Sequence, residues 1–171
     1  MADFSNERDD FSAFFFDISM LFEHFIRKLL IRKGFTLEQK NVDKYSIPSG
    51  GEHNSGQRRL YPDIIIMHDN GSVDVYEVKY KRYDFKYGVD REDLFQMSTY
   101  VGCILNHHKV NKCGFIFPVE HRLDASRGKI LQKISIGGKE IPFEVHFFEA
   151  PSDSNKNYSS LFNNSISNFF N

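Results

Sequence analysis

The apolar and polar positions of the chain are organised around residues 58–82, RRLYPDIIIMHDNGSVDVYEVKYKR. Two apolar runs, Leu60 to Met67 and Val73 to Tyr80, flank Asp69-Asn70-Gly71, a pattern that predicts two strands joined by a tight turn. A three-residue loop closed by Gly71 in the left-handed conformation pairs His68 with Ser72 and sets Asp63 directly opposite Glu77. A two-residue loop at Asn70-Gly71 would shift the register by one and give Glu77 a different neighbour. Lys79 falls on the same face as Glu77 because side chains alternate along a strand. The unbroken Ile64-Ile65-Ile66 run reads as a strand covered on both faces.

Around this hairpin the periodicity predicts further elements. Residues 1–10 are polar and expected to fray. Phe11 to Lys33 reads as a helix with Ile18, Leu21, Phe22, Phe25 and Leu29 as its apolar stripe, ended by Arg32, Lys33 and Gly34. Phe35 to Tyr45 alternates loosely as a strand, and residues 46–57 gather Pro, Gly, Ser and Asn as a loop. Asp90 caps a second helix reaching about Asn106, with Leu94, Met97, Val101 and Leu105 as the buried stripe. Gln96 and Tyr100, four apart, share another face of it. Cys113 to Pro118 reads as an apolar strand. Ile130 to Ile136 and Ile141 to Phe148 flank Gly137-Gly138-Lys139-Glu140 as a second hairpin. From Pro151 the tail is rich in Ser and Asn, with enough apolar residues between Tyr158 and Phe170 for one short docking helix. The order of elements favours an α/β fold, a mixed sheet with helices packed on it, in a single domain over residues 1–171.

Composition narrows the function classes. Lys plus Arg is 22 against 23 for Asp plus Glu, a net charge of −1, so attraction to a polyanion must come from a local patch. The two cysteines, Cys103 and Cys113, form no CxxC, which argues against a disulfide scaffold or a zinc site. The seven histidines show no metal-ligand spacing. No apolar run approaches a spanning helix, and MADFSNERDD is unlike a signal peptide, so a soluble cytoplasmic protein is expected.

Asp63, Glu77 and Lys79 form the candidate chemical cluster. Facing carboxylates repel, and Mg²⁺, which takes one or two carboxylates and keeps several waters, is the simplest neutraliser. A half-exposed hairpin whose acids are offset by Lys79 accounts for the same three residues. Glu23 in LFEHF reads from spacing alone as a surface residue. Lys81, Arg82, Lys86 and Arg91 interleave with Tyr80, Tyr83, Phe85 and Tyr87, a mixture suited to phosphates and bases and equally to a solvated connection anchored by aromatics. Arg58 and Arg59 add to that patch.

With Pro62-Asp63 and then Glu77-Val78-Lys79, the chain resembles the PD-(D/E)xK nuclease superfamily. Taken together, DISMLFEHFIRKLL, LYPDIII, VYEVKYK and DLFQMSTYVGCI resemble the nuclease domain of the McrC subunits of McrBC modification-dependent restriction systems, over roughly residues 18–149. Many relatives carry Asp where Glu77 stands. The amino-terminal region through which McrC engages its GTPase is not recognisable, which implies an excised nuclease domain or a small stand-alone relative.

The resemblance implies an αβββαβ restriction-endonuclease-like core and a Mg²⁺-dependent endodeoxyribonuclease, with Mn²⁺ able to substitute. It assigns Asp63, Glu77, the Val78 carbonyl and Glu23 to the metal, Lys79 to the attacking water, and Gln96 and Tyr100 to a supporting QxxxY motif. DNA, bound through Arg58, Arg59, Lys81, Arg82 and Lys86, and an McrB-like AAA+ GTPase are the implied partners. A second copy would be needed for a double-strand break. One metal ion or two stays open, as do a resolvase or repair nuclease on the same core and a catalytically silent scaffold that binds DNA or a partner.

Overall fold

The computed structural model describes residues 17–39, 45–48, 56–119 and 129–149. Helix α1 (Ile18–Arg32) is opened by Asp17, whose carboxylate accepts from the N–H groups of Ser19 at 3.0 Å and Met20 at 3.2 Å, satisfying two of the donors a helix start leaves unpaired. Strands β1 (Thr36–Leu37), β2 (Ser46–Pro48), β3 (Gln57–Arg59), β4 (Ile64–Met67) and β5 (Val73–Val78) follow, then helix α2 (Arg91–Ile104) and strands β6 (Val110–Val119), β7 (Lys129–Ile136) and β8 (Lys139–Glu149). Six strands form one mixed sheet in the order β1-β4-β5-β6-β8-β7, with β6 parallel to both β5 and β8 and the other pairs antiparallel. Leaving aside the small β2-β3 ribbon, the order α1, β1, β4, β5, α2, β6 is the αβββαβ of a restriction-endonuclease-like core.

Alternation along the strands builds a core on each face. Ile64, Ile66, Tyr76 and Val78 pack with Ile26, Leu29 and Leu30 of α1. Ile65, Val73 and Val75 pack on the other face with Met97, Val101 and Ile104 of α2. The Ile64-Ile65-Ile66 run is therefore buried throughout, as its continuity predicted. The β4-β5 register pairs Ile64 with Tyr76 and Met67 with Val73, so Asp63 and Glu77 stand at facing positions. The three-residue turn is the one formed: His68 N–H donates to Ser72 O at 2.9 Å, Gly71 N–H to His68 O at 2.9 Å, and Gly71 has φ 77°.

Several expectations are corrected. The buried face of α1 is Ile26, Leu29 and Leu30 with Phe22 beside them, whereas Ile18, Leu21 and Phe25 are 53%, 55% and 37% exposed. With ISMLFEHFIRKLLI apolar on nearly every side, two stripes satisfy the same spacing. The strand expected from Phe35 to Tyr45 is only Thr36–Leu37 among the described residues. Part of the expected 46–57 loop pairs as β2-β3, with Ser46 opposite Arg59. Strand β6 extends beyond Cys113 to Pro118 at both ends, and the second hairpin turns on Gly137-Gly138 alone, with Ile136 opposite Lys139. The frayed start, the first turns of the helix expected from Phe11 and the tail from Pro151 lie outside the described residues. Cys103 and Cys113 are both free. Among the described residues no helix is long and apolar enough to cross a membrane.

A polar network lies on the α1 side of the sheet. Tyr76 Oη donates to Glu144 Oε2 at 2.8 Å, His146 Nε2 is 2.9 Å and Lys112 Nζ 3.3 Å from the same oxygen.

Candidate functional site

Asp63 and Glu77 meet at the open end of the β4-β5 hairpin, where side chains replace ladder hydrogen bonds. Asp63 Oδ2 accepts from the Val78 N–H at 3.0 Å, and Glu77 Oε2 accepts from the Asp63 N–H at 3.3 Å. From α1, Arg27 donates through Nη1 to the Asp63 carbonyl oxygen and through Nη2 to Glu38 O at 3.4 Å. The guanidinium thus ties the turn before β4 to the end of β1. Glu77 is 6% exposed. Burial, and then the charge of Asp63, push its carboxyl up to about 7 against the contrary pull of Lys79 and the Asp63 N–H.

Helix α2 closes the site from the opposite side to α1. Lys79 Nζ donates to Gln96 Oε1 at 2.8 Å and lies 3.4 Å from Glu77 Oε1 and 3.1 Å from Asp93 Oδ1. Gln96 Nε2 donates to Glu77 Oε1 at 3.1 Å and to Tyr100 Oη at 2.8 Å. The Gln96 amide therefore spans the acid and the ammonium, oriented by a buried phenol. Burial, followed by the Glu77 charge, raises the Tyr100 hydroxyl to about 12, so it is neutral at physiological pH and available as a hydrogen-bonding group.

Five expected site residues come together here: Asp63, Glu77, Lys79, Gln96 and Tyr100. Val78 contributes its N–H to Asp63. Glu23 is half-buried on α1, and Arg27, one turn later, donates to the Asp63 carbonyl oxygen. Two residues were missed. Arg27 follows Glu23 by four, and Asp93 precedes Gln96 by three and Tyr100 by seven, helical spacings that put each on the face of its neighbour. Burial opposes ionisation of Asp93, yet hydrogen bonds from Lys81 and Lys79 and their charges outweigh it and hold the carboxyl below its usual range.

Within the basic patch, one residue has acidic neighbours. Lys81 Nζ lies 2.6 Å from Asp93 Oδ2 and also pairs with Asp90, so its charge is matched by two acids. Asp90 does stand at the N-cap of α2, but its carboxylate makes no capping hydrogen bond; it serves Lys81. Tyr83 and Phe85 pack against each other and onto Phe147, which makes them anchors of the connection. Arg58, Arg59, Arg82 and Lys86 have exposed positions, with Lys86 over the Tyr87 ring at 4.9 Å.

Among the described residues no three His, Cys, Asp or Glu side chains form a metal cage. Two facing carboxylates, one raised by its burial and then by the other's charge, nevertheless fit a hard cation. With so few protein oxygens the ion must keep several waters, as Mg²⁺ does and structural Zn²⁺ does not.

Comparisons with known proteins agree with this architecture. The model of the family described as McrBC 5-methylcytosine restriction system component matches residues 2–118, more than half of the chain. No curated protein matches. Among solved structures, the chain is similar to one in the refined half-complex from a tetradecameric assembly of Thermococcus gammatolerans McrB AAA+ hexamers with bound McrC, with a TM-score of 0.55 and 16% identity. The match covers 93% of this chain and 35% of that one, a likeness of fold over about a third of the longer chain.

Proposed function

This chain belongs to the family of McrBC 5-methylcytosine restriction system components, and from that premise we propose that it is a Mg²⁺-dependent endonuclease domain hydrolysing DNA phosphodiesters through Asp63, Glu77 and Lys79. The observation that carries the reading is the facing pair of carboxylates with the Lys79 ammonium bridged to one of them by Gln96.

In this reading Asp63 and Glu77 hold the ion, with Glu23 and the Val78 carbonyl as candidate further ligands. When bound, Mg²⁺ supplies charge for the developing phosphorane and lowers the pKa of a coordinated water. Lys79 stands beside the pair, where its ammonium orients the attacking water and offsets negative charge on the phosphoryl oxygens. Gln96 fixes the separation of Lys79 from Glu77, and Tyr100 fixes the amide of Gln96. Arg58, Arg59, Arg82 and Lys86 supply phosphate contacts outside the site. A net charge of −1 favours weak, sequence-independent DNA binding, and we assign delivery to a modified target to an McrB-like AAA+ partner.

The decisive experiment is cleavage of duplex DNA by wild type and Lys79→Ala with and without Mg²⁺. Metal-dependent cutting that falls at least about a hundredfold in the variant is expected, the scale of losing one charge-stabilising group. Equal cutting by both proteins would overturn the assignment.

A further inference from the structure

We propose that Asp93 is a positioning residue for Lys79 and, through the same carboxylate, a restraint on how tightly the site holds a DNA backbone; the proposal rests on the nuclease reading above. Asp93 lies in the first turn of α2 with its side chain only 13% exposed, one oxygen 3.1 Å from Lys79 Nζ and the other 2.6 Å from Lys81 Nζ. One carboxylate thus spans two ammonium groups that follow Glu77 on the chain. Its place at a helix start favours the charged form.

Two consequences follow from those distances. Lys79 has two acidic neighbours, and Asp93 at 3.1 Å is nearer than Glu77 at 3.4 Å. When Glu77 is engaged by a cation, Asp93 and Gln96 remain to aim the ammonium. Conversely, a phosphate approaching Lys79 or Lys81 must compete with a carboxylate already in contact with both. Asp90, the second acid on Lys81, has a side chain 68% exposed, so Asp93 is the partner of Lys81 that solvent screens least.

The test compares the full chain with Asp93→Asn and Asp93→Glu in two measurements: duplex binding by fluorescence anisotropy against salt without divalent cation, and single-turnover cleavage in Mg²⁺ at saturating DNA. Asp93→Asn is expected to bind DNA more tightly, with a log K against log salt slope steeper by about 0.9–1.8, the increment for one or two extra phosphate contacts. Between about 50 and 200 mM salt that is an added affinity loss of roughly 3- to 12-fold. Its cleavage rate at saturation should fall at least about tenfold, because Lys79 is no longer aimed. Asp93→Glu keeps the charge but moves it by a methylene, so it should restore the wild-type slope while still cutting slowly. Unchanged affinity and slope in Asp93→Asn, or wild-type cutting at saturation, would overturn the proposal. Should circular dichroism show Asp93→Asn unfolded, Asp93→Glu decides: a wild-type slope with slowed cutting supports the proposal, and a wild-type rate overturns it. A wild-type chain that cuts no DNA overturns the nuclease reading alone, and the binding arm then decides the role of Asp93.

Discussion

Asp63 and Glu77 face one another across the first hairpin, each carboxylate accepting a hydrogen bond from a backbone N–H of the opposite strand, at 3.0 Å from Val78 and 3.3 Å from Asp63. The pair is thus built into the sheet, with a buried carboxylate and a half-buried one held together. That arrangement costs stability whenever both are ionised.

The first prediction is a pH dependence. Glu77 titrates near its ordinary value of 4.5 in the unfolded chain and at about 7 in the folded one, because of burial and then the Asp63 charge. Below pH 4.5 the residue is protonated in both states and there is no penalty. Between 4.5 and about 7 the folded chain holds the proton more strongly, so stability falls as pH rises, by about 3 kcal/mol in all. Glu77→Gln should therefore stabilise the protein at pH 8 and change it little at pH 4.5. Thermal melts of both proteins at the two pH values check this, and a pH-independent difference would contradict it.

Metal addition should remove the same penalty. If a divalent cation binds the ionised pair, Mg²⁺ should raise the melting temperature of wild type at pH 8 more than at pH 5, since protons compete for Glu77 and binding to the folded state alone stabilises it. Glu77→Gln should respond weakly. An equal shift in both proteins would place the ion elsewhere.

A third prediction separates the two members of the QxxxY pair. Gln96 bonds both Glu77 and Lys79, whereas Tyr100 bonds only Gln96 within this chain of contacts. Gln96→Ala should lower cleavage by about 10–100-fold, the range for groups that orient ligands, and Tyr100→Phe by less. Single-turnover rates at saturating DNA are the measure, and a larger effect for Tyr100→Phe would reverse the assigned order.

These contacts also show how far the sequence was legible. The three-residue Asp69-Asn70-Gly71 loop carried the register, and the register carried the carboxylate pair and Lys79, because a short loop leaves few ways to pair its strands. Gln96 and Tyr100 were placed on one helix face by spacing, but only the packing of α2 on the sheet decides that this face meets Glu77. Asp93 could not be singled out, since nothing local distinguishes it from Glu92 in the first turn of α2. The acidic partners of Lys81 were hidden for the complementary reason: they lie nine and twelve residues on, beyond any strand or single-turn spacing. On α1 the surplus of apolar residues hid which stripe faces the sheet.

A fourth prediction concerns the network on the other face. Burial would raise Glu144, but hydrogen bonds from His146 and Tyr76 and the charges of Lys112 and His146 outweigh it and lower the carboxyl to about 2. Its stabilisation is complete above the ordinary 4.5 and is lost as pH falls toward 2. Tyr76→Phe removes one of those donors from a buried acceptor and should cost about 1–3 kcal/mol in urea denaturation near neutral pH. The deficit should shrink as Glu144 is protonated; a deficit that stays the same in acid would assign the loss to packing instead.

The last prediction tests the turn on which the site depends. Gly71 has φ 77°, and a Cβ built there meets nothing within 4 Å, so substitution is opposed by backbone conformation and not by crowding. Gly71→Ala should cost about 1–2 kcal/mol, the penalty of an L residue in the left-handed region. Gly71→Asn should cost less, because Asn visits that region more readily. Both variants should keep the three-residue loop, since Asn70 Oδ1 accepts from the Ser72 N–H at 3.0 Å and the His68 N–H bonds Ser72 O at 2.9 Å. Each should then cut DNA in proportion to its folded fraction. Urea denaturation beside cleavage rates separates the two effects: a variant that stays folded but loses cutting has slipped register and parted Asp63 from Glu77.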